Sequence, residues 1–347
     1  MRMGMFLGVA TLVAGLVLSA PVARAQEEGR ASAPDDSQAE LQKYKQRNEA
    51  LERRIEELEA ARKAGAKSGA ASEAPPAGAE AYPPFVSTAE NFLDGWFERV
   101  SKIQAEQPHW VTPLVTVTPR LEQELRYDQS WESLPGGKTL ANYDNGKGLE
   151  IIPADPFELI IGVPAWETEN TSPRKQGWAD EGFLLKYRLL SANEESGDYI
   201  LTAFMGLSVP WGGENYTEDH YVFTPTVAFG KGWGDFDFQS TLGVAVPDNG
   251  DSQYGAGTPV LFNTTFQYRV MKIFWPEVEF NCTEWPSGKH EGINDQGDQV
   301  FITPGLVIGR IPISHRLALT IGAGYQIAVT PHPLYHNNFI LSVRLPF

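Results

Sequence analysis

A single cysteine, Cys282, stands among 347 residues. One thiol excludes an internal disulfide framework and any cysteine-based zinc site. Basic residues are scarce: 28 Lys and Arg against 44 Asp and Glu give a formal charge of −16. Nucleic acid is excluded as a partner on that ground, because phosphate binding wants a basic surface. Long apolar runs are scarce too. After residue 25 nothing approaches the roughly 20 apolar residues of a membrane helix, and the mean hydropathy is −0.29. Aromatic residues, by contrast, are many for so acidic a chain: nine Trp, 12 Tyr and 18 Phe.

The first 110 residues divide by composition. Residues 1–25 read as a signal peptide, with Arg2, an apolar run from Met5 to Leu18, and Ala23-Arg24-Ala25 as a small-x-small cleavage site. That run is too short to span a bilayer. Residues 26–38 are polar and expected to be disordered. Over 39–63, Leu41, Tyr44, Asn48, Leu51, Ile55 and Leu58 fall at a and d of a heptad repeat. This predicts a short coiled coil and a homo-oligomer held by those residues; a lone charged helix is the alternative. Residues 64–86 are rich in Ala, Gly and Pro and read as a linker. An amphipathic helix is expected over 87–108, capped by Thr88, with Phe92, Leu93, Trp96, Phe97, Val100 and Ile103 along one side. It could pack on a barrel rim, lie on the membrane surface or enter the lumen.

From residue 111 the period changes to two. Leu317, Leu319, Ile321, Ala323, Tyr325 and Ile327 alternate with Ala318, Thr320, Gly322, Gly324 and Gln326, the mark of a strand with two unlike faces. Twelve such segments are expected: 114–129, 142–152, 156–165, 179–190, 199–210, 221–230, 235–246, 259–270, 273–284, 299–309, 316–328 and 338–347. Their length suits tilted membrane strands better than the strands of a soluble sandwich. Short connections alternate with long ones, such as 130–141, 166–178, 211–220 and 247–258. The prediction is an all-β fold over 111–347, a 12-stranded antiparallel transmembrane β-barrel of the outer-membrane type with an N-terminal helical and coiled-coil extension in the periplasm. Lipid gives the backbone no hydrogen-bond partner, so the sheet must close on itself, with 114–117 meeting 339–347.

Tryptophans are expected in two interfacial girdles: Trp131, Trp166, Trp178, Trp211 and Trp285 at the long-loop end, and Trp110, Trp233 and Trp275 at the other. Cys282 shares the register of Phe274, Val278 and Phe280 and reads as lipid-facing. The opposite register lines the lumen with Arg120, Glu122, Glu124, Arg126, Glu150, Glu158, Lys186, Arg188, Asp237, Gln267, Arg269, Glu277, Glu279 and Arg344. Both signs of charge occur, so these groups could line a narrow water-filled path or pair across the interior and plug it. Gly322 and Gly324, with small inward residues such as Ala245, favour room for a path.

Catalysis finds little support. His220, His290, His332 and His336 fall in or beside long loops, His315 in a short turn, and His109 ahead of the barrel. None stands beside a serine in mid-strand, as an outer-membrane lipid hydrolase would need. No cofactor is implied.

The last strand ends Phe339, Leu341, Val343, Leu345 and finally Phe347. Such an ending resembles the signal read by the bacterial outer-membrane assembly machinery. Asn145–Pro153, Phe157–Pro164, Lys186–Leu190, Thr224–Trp233 and Thr303–Arg310 resemble the MetA-pathway of phenol degradation family, transporter-like outer-membrane proteins. The resemblance covers 111–347 and leaves out the coiled coil. It implies a barrel in outer-membrane lipid and lipopolysaccharide that passes small solutes, aromatic compounds among them. The remaining classes are a plugged structural or adhesive barrel and a lipid hydrolase.

Overall fold

In a computed structural model the described residues are 84–144, 147–248, 258–286, 298–331 and 333–347. The expected signal peptide, the 26–38 and 39–63 segments and the linker as far as residue 83 lie outside them.

Helix α1 (Pro84–Ala105) comes first. It begins before the expected residue 87, so Thr88 lies within it rather than at its cap. The strands follow in order: β1 (Glu124–Leu134), β2 (Lys138–Tyr143), β3 (Gly148–Ala154), β4 (Phe157–Ile161), β5 (Trp166–Glu169) and β6 (Lys175–Trp178). Next come β7 (Glu181–Ala192), β8 (Tyr199–Val209), β9 (Val222–Trp233), β10 (Phe236–Val244) and β11 (Val246–Pro247). The last five are β12 (Val260–Tyr268), β13 (Phe274–Glu284), β14 (Asp298–Pro312), β15 (Ala318–Ala328) and β16 (Asn337–Pro346).

Twelve of these strands form one antiparallel ring, β1-β3-β4-β7-β8-β9-β10-β12-β13-β14-β15-β16, closed by the pairing of β16 with β1. Closure runs from Glu124↔Pro346 to Ser133↔Asn337. The first strand therefore starts ten residues later than the alternation suggested. Residues 114–117 pair with no strand; they lie inside the ring.

Two expected long loops are instead β-hairpins. Within 130–141, β2 pairs the upper half of β1, from Gln129↔Tyr143 to Leu134↔Lys138. Within 166–178, β5 pairs β6, from Trp166↔Trp178 to Glu169↔Lys175. With β2↔β5 pairing as well, the long-loop end rises on one side as a small sheet.

Burial along each strand is inverted relative to a soluble protein. On β1, Leu125 and Tyr127 are 47% and 42% exposed, while Glu124 and Arg126 are 3% and 1% exposed. Leu185, Val227, Leu242, Ile321 and Val343 repeat the pattern outside, and Lys186, Gln239, Thr303 and Arg344 repeat it inside. Exposed apolar bands around a polar interior are stable where hydrocarbon, not water, surrounds the wall. Among the described residues no helix is long and apolar enough to cross a membrane; the strands do the crossing.

Aromatic rings flank that band. Trp131 stacks on Phe339, with centroids 5.7 Å apart, and Trp166 meets Trp178 edge-on at 5.0 Å, all toward the long-loop end. At the short-turn end Phe157 packs on Tyr187 and Trp233 on Phe236. Two expected members of the girdles are elsewhere. Trp110 and Trp275 are 3% and 6% exposed and form one buried cluster with Val111, Leu114, Ile200 and Val307. Trp285 is buried as well. Cys282 lies on the outward register of Val278 but is also buried.

Candidate functional site: a cradle inside the barrel

Residues 106–123 leave α1, cross the lumen and turn into β1 without forming helix or strand. Pro108, Pro113 and Pro119 explain this. Each lacks an amide proton and restricts the residue before it, so neither a helix nor a ladder can continue through them. Nearly every side chain of the segment is buried: Gln107, Thr116, Arg120, Leu121 and Gln123 are all fully so.

The segment's backbone must find its hydrogen bonds in the wall, and does so from two sides. On β13, Glu277 Oε1 accepts from the amide of Leu114 at 3.1 Å. Glu279 accepts from the amides of Val115 at 2.7 Å and Thr116 at 2.6 Å. From the barrel seam, Arg126 Nη2 on β1 donates to the Leu114 carbonyl at 2.6 Å. Arg344 on β16 donates to the carbonyls of Thr112 and Pro113. Further along, Gln239 Nε2 on β10 donates to the Val111 carbonyl, and Gln239 Oε1 accepts from the Thr118 hydroxyl at 2.7 Å. Thr202 on β8 donates to the Pro119 carbonyl at 2.6 Å.

The wall groups are themselves held. Arg126 pairs with Asp128 at 2.6 Å, and Arg344 Nε donates to Ser342. Gln267 donates to Glu277 at 2.6 Å, and Thr265 to Glu279 at 3.0 Å. Where the segment turns into β1, Arg120 pairs with Glu122 at 2.6 Å and donates to the carbonyls of Pro108 and Trp110. Lys186 pairs with Glu158 at 2.8 Å and donates to the Arg120 carbonyl, while Glu158 accepts from the Glu122 amide.

Apolar side chains of the segment sit in hollows left by glycines. A Cβ on Gly305, Gly322 or Gly324 would come within 2.6–2.7 Å of a Leu114 methyl. A Cβ on Gly230 would overlap the Trp110 ring. The Gly322/Gly324 pair therefore does not leave a free path; Leu114 fills the space.

α1 closes the short-turn end. Val100 and Ile103 pack on Leu121 and Ile152, all at most 2% exposed. Trp96 Nε1 donates to the Ile152 carbonyl at 2.7 Å. Arg316, in the β14–β15 turn, donates to the Phe97 carbonyl and Ser101 hydroxyl and stacks over the Phe97 ring. Arg188 donates to the Ile103 carbonyl and Asn193 to that of Ala105, both beside the β7–β8 turn. Those two turns are half the ring apart, so the helix lies across the mouth. His109 then fastens the chain to Glu194 of the β7–β8 turn, through its ring at 2.8 Å and its amide at 2.7 Å.

The residues singled out from the sequence fall into three groups. Glu124, Arg126, Glu150, Glu158, Lys186, Asp237, Gln267, Glu277, Glu279 and Arg344 are buried on the interior of the wall. Arg120 and Glu122 are interior too, but they belong to the segment, not to the wall. Arg188 and Arg269 lie at the short-turn end, where Arg188 holds α1 and partly exposed Arg269 pairs with Asp235 at 2.8 Å. The oligomerisation residues Leu41, Tyr44, Asn48, Leu51, Ile55 and Leu58 lie outside the described residues. Sequence reading passed over Asp128, Ser342 and the backbone of 111–119. The prolines at 113 and 119 were the available signal, because an interior strand rarely accommodates them.

This architecture defines the class: a closed membrane β-barrel of the outer-membrane type whose lumen is occupied by its own chain. No family model matches the sequence, and no curated protein does. Among solved structures, an outer membrane channel from Pseudomonas putida F1 matches at a TM-score of 0.47 and 16% identity, over 68% of this chain and 99% of that one. The NanC porin matches at 0.41 and 10%, over 65% and 98%. The translocator domain of the autotransporter NalP from Neisseria meningitidis matches at 0.41 and 6%, over 76% and 96%. At these values none assigns a solute or a mechanism to this chain.

Proposed function

We propose that the chain is an outer-membrane channel for small solutes that conducts when residues 106–123 shift from the lumen. The observation that carries this reading is how the segment is held. Its main chain is fastened by hydrogen bonds to polar and charged side chains of the wall, and its buried apolar contacts are confined to Trp110, Val111, Leu114 and Leu121. Charged-wall contacts can be exchanged for water or solute at modest free-energy difference, whereas an apolar interior cannot. The wall that would then be exposed carries both signs of charge, as the lining of a pore does.

In this reading the short-turn end faces the periplasm, with α1 and the preceding extension on that side, and the long-loop end faces lipopolysaccharide. The Phe347 strand is the element the assembly machinery would read. The 39–63 repeat would join copies of the chain. The family resemblance adds small aromatic compounds to the candidate solutes.

Liposome swelling with sugars, amino acids and phenolic acids tests the proposal. Swelling should follow reconstitution of the full chain, or of a Glu277→Gln/Glu279→Gln variant in which the segment is loosened. A correctly folded barrel that admits none of these solutes in either form is a structural barrel, the second reading, which the depth of burial of 106–123 favours.

A further inference from the structure

We propose that the cradle holding residues 110–118 is a binding site for short peptides with apolar side chains, and that this segment occupies it as a built-in pseudo-ligand. The inference rests on the channel reading above and names its substrate class.

Three observations converge. First, the wall recognises a peptide main chain as such. Glu277 and Glu279 capture three successive amides, Leu114 to Thr116, and Arg126 and Arg344 capture three successive carbonyls, Thr112 to Leu114. Those contacts read the amide units of a chain that bends at Leu114–Thr116, so another peptide able to take that bend would satisfy them. Second, the four recognition groups are each fixed by a neighbour in the wall: Asp128, Ser342, Gln267 and Thr265. A site held this way keeps its shape when its occupant leaves, and such preorganisation lowers the free energy needed to bind the next one.

Third, the glycine hollows choose side chains. Those beneath Leu114 and Trp110 would clash with any wall side chain larger than hydrogen, and they offer an apolar group space that water gains little from filling. Sugars have hydroxyls for the polar groups and nothing for the hollows. Simple anions meet the two glutamates, and simple cations meet the two arginines.

The test follows the segment, not the flux. In a Cys282→Ser background, Thr116→Cys places a thiol on the fully buried part of the segment, and its reaction with a maleimide in detergent reports displacement. The heptapeptide Trp-Val-Thr-Pro-Leu-Val-Thr, the sequence of residues 110–116, amidated at its C-terminus, should raise the labelling rate at least tenfold, with saturation. A glycine–serine heptapeptide amide and maltose should leave the rate unchanged. Labelling that ignores the peptide, or that rises equally with the glycine–serine peptide or the sugar, overturns the proposal. Should the cysteine variant not fold, trypsin cleavage after fully buried Arg120 in the unmodified protein reads the same event, and cleavage indifferent to the heptapeptide overturns the proposal equally. Labelling needs no transport, so a barrel that fails the swelling assay yet responds here separates the two readings.

Discussion

Glu279 holds the amide of Val115 at 2.7 Å across 164 residues of sequence. The same carboxylate takes the Thr116 amide at 2.6 Å, so one side chain of β13 orders two consecutive residues of a segment that has no secondary structure. Hydrogen bonds to a charged acceptor are worth about 1.5–3 kcal/mol each. Glu279→Gln keeps one oxygen and no charge. Exchange of the 114–116 amides with deuterium should accelerate by roughly 5–150-fold, the range for a 1–3 kcal/mol change, while the strand amides of β13 keep theirs. Unchanged exchange at 114–116 would mean that the carboxylate is a bystander.

Leu114 and Gly324 make a steric pair. A Cβ at Gly324 would sit 2.7 Å from a Leu114 methyl. Gly324→Val should expel the segment and open Arg120 to trypsin. Leu114→Ala should restore protection in the double variant, although alone it weakens docking by about 2–5 kcal/mol as other buried leucine truncations do. Additive effects of the two changes would show that they act at separate places.

Lys186 and Glu158 are both fully buried and 2.8 Å apart. Lys186→Met strands a carboxylate, a change that costs about 3–5 kcal/mol where one partner of a buried pair is removed. Lys186→Met/Glu158→Gln should recover much of it. The temperature at which the detergent-solubilised barrel loses its folded gel mobility checks both, and the double variant should melt above the single one.

The latch between His109 and Glu194 should be acid-sensitive. Burial pushes the Glu194 carboxyl up, but hydrogen bonds from the His109 ring and amide more than reverse this, leaving it below its ordinary 4.5. A depressed folded-state pKa contributes stability that is complete above that ordinary value and disappears as the pH falls through the lower, folded one. Protease access to residues 106–110 should therefore rise only below about pH 4.5, and Glu194→Gln should remove the pH step. A step of the same size in that variant would place the sensitivity elsewhere.

Deleting 41–62 should leave the barrel folded and lower the mass of the detergent-solubilised particle, as loss of a coiled coil would. An equal number of chains per particle before and after rules out oligomerisation through Leu41, Asn48 and Ile55.

Much of the barrel can be read from alternation alone. Period two in segments such as 317–327 and 338–347 is imposed by two unlike solvents on two faces, and it survives because each strand meets hydrocarbon on one side. The same rule misplaces the first strand for a physical reason. Arg120, Glu122, Glu124 and Arg126 alternate without a break, yet the first two belong to the occupant and the last two to the container. A chain that runs from the interior into the wall keeps one parity through the junction. Likewise the outer hairpins at 130–141 and 166–178 contain the Gly, Asn and Pro that mark loops, and only cross-strand pairing, of Trp131 with Ala141 and of Trp166 with Trp178, shows the ladder continuing. The cradle was the least legible part, because it recognises main chain, which every sequence possesses.

Residues 106–123 leave α1 beside the β7–β8 turn and enter β1 at Glu124, opposite Pro346. Both ends of the loop are therefore anchored at one mouth of the barrel. It can swing out and return through that mouth with the β1–β16 seam intact, so the occupant is tethered to the wall it vacates and never diffuses away.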